Sequence, residues 1–247
     1  MSGGPLEGVR VVDLTSVVVG PLATQILADH GAEIIKVESK AGDLVRQLNG
    51  KSVTPGMGAK FLHLNRNKRS VALDLKHASG MEALRRLIAK ADVMVWNVRP
   101  AAMARLGLSY DDVKKINPKI IYCGLYGFGQ DGRYKDKPAY DTIIQGASGM
   151  AALHHRSTGE PRYVPMVVAD KVVGLHVSQA ISMALYAREK TGRGQFVEVP
   201  MFECMVSFVM PEHFGGLSFE PALGEAGYAR LLNPYRKPFR TSDGWVT

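Results

Sequence analysis

Sorted by spacing, the reactive side chains of this sequence leave two acids standing: Asp141 in "KPAYD" and Asp170 in "VPMVVADKVVGLHVSQAISMAL". The seven histidines show no H-E-x-x-H or other ligand spacing, so no metal site is expected. His154-His155 reads as part of an exposed polar loop, and His176 as a satisfied, partly buried helix residue. The serines lack a G-x-S-x-G elbow. Cys123 and Cys204, the only cysteines, lack C-x-x-C spacing; they suggest neither a disulfide framework nor a zinc site and read as buried apolar residues. The eleven methionines sit at core-like spacings and need no cofactor. Asp170 follows an apolar run and precedes a long helical pattern, which leaves two roles open. It can cap the helix, accepting from the orphan N–H groups of the first turn at the positive end of the dipole. It can equally be a nucleophile, because the same donors would keep its carboxylate ionised.

Apolar runs alternate with helical patterns around these acids. "GVRVVDL" reads as a strand, "PLATQILADHG" as a helix stopped at Gly31, and "AEIIKVES" as the next strand. "RSVALDL", "SGMEALRRLIAKA" and "DVMVWNV" repeat the unit. A short helix at 101–106, a second opened by Ser109 and stopped at Asn117-Pro118, and the strand "KIIYCGLY" follow. The alternation predicts an α/β fold with a doubly wound, mostly parallel sheet, in which ligands bind beyond the carboxyl ends of the strands. Residues 39–60 form a connection long enough to be functional. A helix is expected from about Asp141, and another after Asp170 with Val173, Val177, Ala180, Ile181 and Ala184 on its core face, ending before Gly192. "QFVEVP" is a further strand and 201–210 a further helix. Residues 217–240 lack periodicity, and "RTSDGWVT" reads as a hairpin turn whose second strand has barely begun, as in a chain cut off inside a larger fold. The expected division is a large domain over 1–216 and, over 217–247, a linker with the start of a second, truncated small domain.

Composition narrows the function. Hydrophobic residues at 46% and charged residues at 22% are ordinary for a soluble globular protein. "MSGGPLEGVR" does not read as a signal peptide, and no apolar run is long enough to span a bilayer, so a cytoplasmic protein without a membrane partner is expected. The net charge of +8 asks for an anionic partner, but the densest basic cluster, "NRNKR" at 65–69, lacks interleaved aromatics or a recognition helix. That argues against nucleic acid and suits a small phosphorylated ligand better. "VVVGPLATQIL" at 17–27 could receive a phosphate on its amides, although it lacks G-x-G-x-x-G and fits a plain strand-to-helix turn as well. "LDLK" at 73–76 and "NVRP" at 97–100 end predicted strands, projecting Lys76, Asn97 and Arg99 from the ligand edge or simply into solvent.

Taken together, "GVRVVDLTSVVVGPLATQILADHGAEIIKVE", "NRNKRSVALDLK", "ADVMVWNVRP", "RLGLSYDDVKKINPKIIYCGLYGFGQDG", "PAYDTIIQGASGM" and "REKTGRGQFVEV" closely resemble the class III (family III) CoA-transferases, a group that includes formyl-CoA transferase and L-carnitine CoA-transferase. The likeness runs from about residue 6 to the end. It implies a Rossmann-like large domain, followed in the family by a linker, a small domain and a return segment; this chain looks like the N-terminal part. It also implies an interlocked homodimer, and acyl-CoA with a small carboxylic acid as substrates and no tightly bound cofactor.

The resemblance gives Asp170 the catalytic role. The matching aspartate of the family attacks the acyl-CoA thioester, forming a mixed anhydride and free thiolate, after which anhydride and aspartyl-CoA thioester interconvert as the acids exchange. The implied CoA-binding positions are Val18, Val19, Leu73, Lys76, Asn97, Val98, Arg99, Arg105, Lys137 and Tyr140. Arg105, Lys76 and Lys137 are the natural phosphate partners. Some transferases carry a glutamine where this chain has Val18 and an arginine where it has Ser39. A relative of the same fold, α-methylacyl-CoA racemase, places a histidine where this chain has Tyr140. A phenol, with an ordinary pKa of about 10, is a poor base at neutral pH, so transferase is favoured over racemase; a CoA-binding fragment without activity is a further alternative.

Overall fold

The computed structural model describes residues 3–48 and 52–247. Strand β1 (Arg10–Leu14) leads through helix α1 (Val19–Asp29) to β2 (Glu33–Glu38). A 3-10 turn (Leu44–Arg46) and helix α2 (Ala59–Asn65) precede β3 (Lys68–Ala72), and α3 (Ala78–Ala89) leads to β4 (Val93–Trp96). Helices α4 (Pro100–Arg105) and α5 (Tyr110–Ile116) precede β5 (Ile121–Tyr126); α6 (Asp141–Ala147), α7 (Met150–Thr158) and the 24-residue α8 (Val168–Thr191) precede β6 (Gln195–Pro200). The chain continues through α9 (Met201–Val209), a 3-10 turn (Gly215–Ser218) and the strands β7 (Phe239–Arg240) and β8 (Trp245–Val246). Among the described residues, no helix is long and apolar enough to cross a membrane.

The six long strands form one parallel sheet in the order β3-β2-β1-β4-β5-β6, so the winding direction reverses between β1 and β4. Side chains that alternate along the strands supply two cores. Val11, Val93, Ile121 and Cys123 pack against Ala23 and Leu27 of α1 and Val173, Val177 and Ile181 of α8. On the other face Val12, Met94, Trp96 and Tyr122 pack against Leu84 and Ile88 of α3 and Val113 of α5. Strands β4 and β5 are buried throughout, as the middle of a parallel sheet covered on both faces requires. Helix α8 can lie close to α1 because residue 174 is glycine: a Cβ there would stand 3.0 Å from the Val19 carbonyl oxygen. Ser109 and Asp112 form a reciprocal capping box at the start of α5, and Gly192 ends α8 at φ 70°, as the sequence predicts.

Several expectations need correction. The strand read as "RSVALDL" stops at Ala72, which puts Leu73 to Lys76 in the following turn. The connection expected over 39–60 contains the 3-10 turn and the start of α2; its residues 49–51 lie outside the described residues. His154 and His155 belong to helix α7, not to a loop, because the chain between the left-handed Gly149 and Gly159 closes into a helix. Lys68, in the basic cluster at 65–69, is a buried ion-pair partner. Cys123 is buried as expected, while Cys204 is only partly so. The terminal "RTSDGWVT" does form a hairpin, closed by the Thr241 N–H donating to the Gly244 carbonyl at 2.9 Å.

Candidate active site

A cleft of about 540 Å³ opens at the carboxyl ends of β1 and β4, where the strand order reverses. That is the position an open α/β sheet offers a ligand, because the loops after the two strands diverge to opposite faces. One wall is the turn Ser16–Val19 after β1; another is Asn97–Ala102 with Arg105, after β4. Leu125–Gly127 after β5 and the loop 135–140 close a third side, and Asp141 and Asp170 enter at the starts of α6 and α8. Away from Asp141 and Asp170, the lining carries Arg99, Arg105, Lys135 and Lys137 against the single carboxylate of Asp136.

Asn97 joins two of these walls. Its side-chain oxygen accepts from the Ser16 N–H at 3.0 Å and its amide donates to the Ser16 carbonyl at 2.9 Å. The sequence places Asn97 at the ligand edge, and the structure does so, but with its polar atoms bonded to the turn. Below that turn, Asp13 is fully buried at the end of β1. It accepts from the Thr15 N–H (2.8 Å) and hydroxyl (2.5 Å), from the Thr24 hydroxyl (2.6 Å), and from Lys68 (3.2 Å). Burial would raise the Asp13 pKa, but Lys68, Lys36 and the two hydroxyls outweigh it and bring it down to about 2. Burial lowers the Lys68 ammonium to about 8, with Asp13 opposing, so both groups are charged at neutral pH.

Asp170 does not cap its helix. The helix begins at Val168 with Val167 as its flanking residue, so Asp170 is the third helical residue. The orphan donors of this helix end are taken by a different acid: Asp141 Oδ1 accepts from the Ala169 N–H at 2.8 Å and from the Asp170 N–H at 3.3 Å. The other Asp141 oxygen accepts from the Gln145 amide at 2.6 Å, and Gln145 in turn accepts from the Val164 N–H at 2.9 Å, fixing the segment that leads into α8. The half-buried Asp170 carboxylate makes no hydrogen bond to another described residue. The expectation that helix donors keep it ionised is therefore wrong in its cause: the donors go to Asp141, and the pKa moves up, not down. Burial first, and the Asp141 charge second, raise its pKa to about 6, against the pull of Lys60.

This predicts a pH profile. The Asp170 carboxyl should titrate near 6, not near the usual carboxylate value of about 4. The Asp141→Asn variant removes a negative neighbour and should move the midpoint to lower pH, whereas Lys60→Met removes the opposing cation and should move it higher. A carboxyl titration followed by NMR between pH 4.5 and 8 checks both directions; a midpoint that moves the same way in both variants would refute the assignment.

The structure brings Val18, Val19, Asn97, Val98, Arg99, Arg105, Lys137, Tyr140 and Asp170 to this one cleft. Tyr140 is 71% exposed at its mouth. Leu73 and Lys76 are not brought there. They follow β3, two strands away along the same sheet edge, or roughly 10 Å at ordinary strand spacing. Leu73 lines a separate groove between β3 and α3, and Lys76 is exposed. Sequence reasoning missed Lys60, Gln145 and the buried ions beneath the Ser16–Val19 turn. Only Gln145 carried a local signal, four residues after Asp141 on one helix face.

The model of the family described as CoA-transferase family III matches residues 6–247. Over 249 aligned residues the chain is 35% identical to the succinate–glutarate CoA-transferase of Agrobacterium fabrum, covering 98% of this chain and 62% of that protein. It is 42% identical over 197 residues to the formyl-CoA:oxalate CoA-transferase of Streptomyces avermitilis, covering 79% and 47%. Among solved structures, a CAIB/BAIF family protein from Brucella suis superposes with a TM-score of 0.88 at 34% identity, over 99% of this chain and 65% of that one. The chain thus spans about half to two-thirds of the length of the relatives it matches.

Proposed function

Because the chain belongs to CoA-transferase family III, we propose that the protein moves CoA from an acyl-CoA to a carboxylic acid, with Asp170 as the nucleophile. The observation that carries this reading is a half-buried carboxylate that makes no hydrogen bond to another described residue and faces a cleft shared with Arg99, Arg105, Lys135 and Lys137, its pKa pushed up to about 6 by burial and by Asp141. Such a group is ionised at neutral pH yet more basic than a capped one. A carboxylate is a weak nucleophile, and Asp141 spares it the further loss of basicity that direct contact with the helix donors would bring. Positioning against the thioester carbonyl supplies most of the remaining rate.

An Asp170 oxygen attacks the thioester carbon and the CoA thiolate leaves, forming a mixed anhydride. The thiolate then attacks the aspartyl carbonyl and the donor acid leaves as carboxylate, giving an aspartyl-CoA thioester. The acceptor carboxylate runs the two steps in reverse, and Asp170 is regenerated.

Arg99, Arg105 and Lys137 hold the CoA phosphates in this reading, and Leu73 and Lys76 take a more distant part of the same extended molecule. No tightly bound cofactor is needed. The acids named for its relatives, succinate, glutarate and oxalate, make dicarboxylates the first acceptors to test. The same reading has the protein working in the cytoplasm as an interlocked homodimer, with residues 217–247 leading into a smaller domain; Leu175, Met183 and Tyr186, exposed along α8, offer apolar surface for association.

Trapping the intermediate tests the reading. Incubation with an acyl-CoA and borohydride should reduce the aspartyl thioester, so that peptide mapping finds residue 170 converted to homoserine. An unmodified Asp170 in protein that turns over would overturn it.

A further inference from the structure

Val17 adopts φ 71°, one of two non-glycine residues with positive φ among the described residues. A β-branched residue is a steric outlier there and stays only where its surroundings over-determine it. The surroundings are specific. The Val17 N–H donates to both oxygens of Asp43, at 3.2 and 3.3 Å. The same carboxylate accepts from the Val45 N–H at 3.1 Å and lies 3.0 Å from the Lys36 ammonium, which itself donates to the Thr15 carbonyl at 2.7 Å. Both charged side chains are only 1% exposed. Asp43 is oriented in turn by its own N–H, which donates to Glu38 at 2.8 Å, while Arg46 grips Glu38 with bonds of 2.7 and 2.6 Å. On the opposite side Asn97 holds both backbone polar groups of Ser16.

A turn carrying a strained valine is thus pinned on the β2 side by a buried ion pair and on the β4 side by an amide. The pinned residues are those that wall the cleft: Ser16, Val17, Val18 and Val19 all line it. A buried ion pair is weak evidence for stability, since apolar pairs of similar volume often serve the fold as well or better. Its use here to hold one backbone N–H in a costly conformation points to a different purpose.

We propose that Asp43, supported by Lys36, is a positioning residue that holds the strained Val17 turn in the shape the bound CoA moiety requires before the ligand arrives. The inference rests on the acyl-CoA reading of the cleft. Neither group touches the reacting atoms; both act through Val17, and they lower the ordering cost of binding by preorganisation.

The test is a rescue. Lys36→Met with Asp43→Leu replaces the pair by apolar groups and spares the fold a lone buried charge, yet leaves the Val17 N–H without its anchor. Calorimetry with CoA should show the Kd of this double variant raised by about tenfold or more at near-native thermal stability. Adding Val17→Gly, which makes a positive φ free of steric cost, should recover most of that loss. Should the double variant fail to fold, Asp43→Asn with and without Val17→Gly is read in the same way. A folded variant with native CoA affinity, or a loss that Val17→Gly leaves untouched, overturns the inference. A wild-type protein that binds no CoA instead sinks the reading of the cleft, and this inference with it.

Discussion

Asparagine at position 170 is expected to abolish acyl transfer and, at neutral pH, to make the protein more stable. In the proposed mechanism Asp170 is the nucleophile, so its removal leaves no group to form the anhydride, and losses of roughly 10⁴-fold or more accompany removal of a covalent catalyst. The stability gain follows from the raised pKa. A carboxyl whose folded pKa lies above its unfolded value contributes stability fully present below the unfolded pKa, and that contribution is lost as pH rises through the folded value. Between the ordinary 3.8 and about 6 the loss is on the order of 3 kcal/mol, an upper bound given partial exposure. Asparagine keeps the shape and never ionises, so Asp170→Asn should melt higher than the wild type at pH 7 and no higher at pH 4. Thermal melts at the two pH values, with thiol release as the activity measure, check this. A residue that merely supported the helix would behave in the opposite way, losing stability first and activity as a consequence. Undiminished transfer in the variant would remove Asp170 from the mechanism.

Lys68→Met should produce the largest loss of stability. It strands the Asp13 carboxylate, fully buried at the end of β1, with only the two threonines and the more remote Lys36 to compensate. Breaking a buried pair from one side costs about 3–5 kcal/mol, which for a chain of this size lowers the melting temperature by about 10 °C. The pH dependence identifies the cause. With its pKa held down to about 2, Asp13 contributes stability that is present above the ordinary carboxylate pKa and lost as pH falls through about 2. Without Lys68 that pKa rises, so the deficit should shrink as the buffer is made acidic. Pairing the change with Asp13→Asn should recover part of the loss at neutral pH. A deficit independent of pH would mean that lost packing of the lysine stem, not the stranded charge, is responsible.

The two substitutions mark where the sequence was legible. Strand and helix periods placed the parallel sheet, the buried face of α8, the Ser109 cap and the Gly192 stop, because those features are set by residues within a turn or two of one another. Helix α7 was not legible: none of its residues is fully buried, and Met150 and Leu153, which pack against the core, are too few to make an apolar stripe. Helix α2 has only seven residues and merges with a run of basic side chains. That run itself misled, since Lys68 reads as a solvated surface charge and is instead the buried partner of an acid 55 positions earlier.

Asp141 and Asp170 could be picked out from the sequence as the two candidate acids, and local pattern alone determined that Asp170 sits at the start of a long helix. Which acid takes the helix donors was decided only when the fold brought Asp141 against the N–H of a residue 28 positions away. Strand order likewise separated Leu73 and Lys76 from Asn97 and Arg99, although all four follow strand ends. Periodicity is a property of neighbours along the chain, whereas desolvation, charge pairing and strand adjacency depend on distances that exist only after the chain has closed on itself.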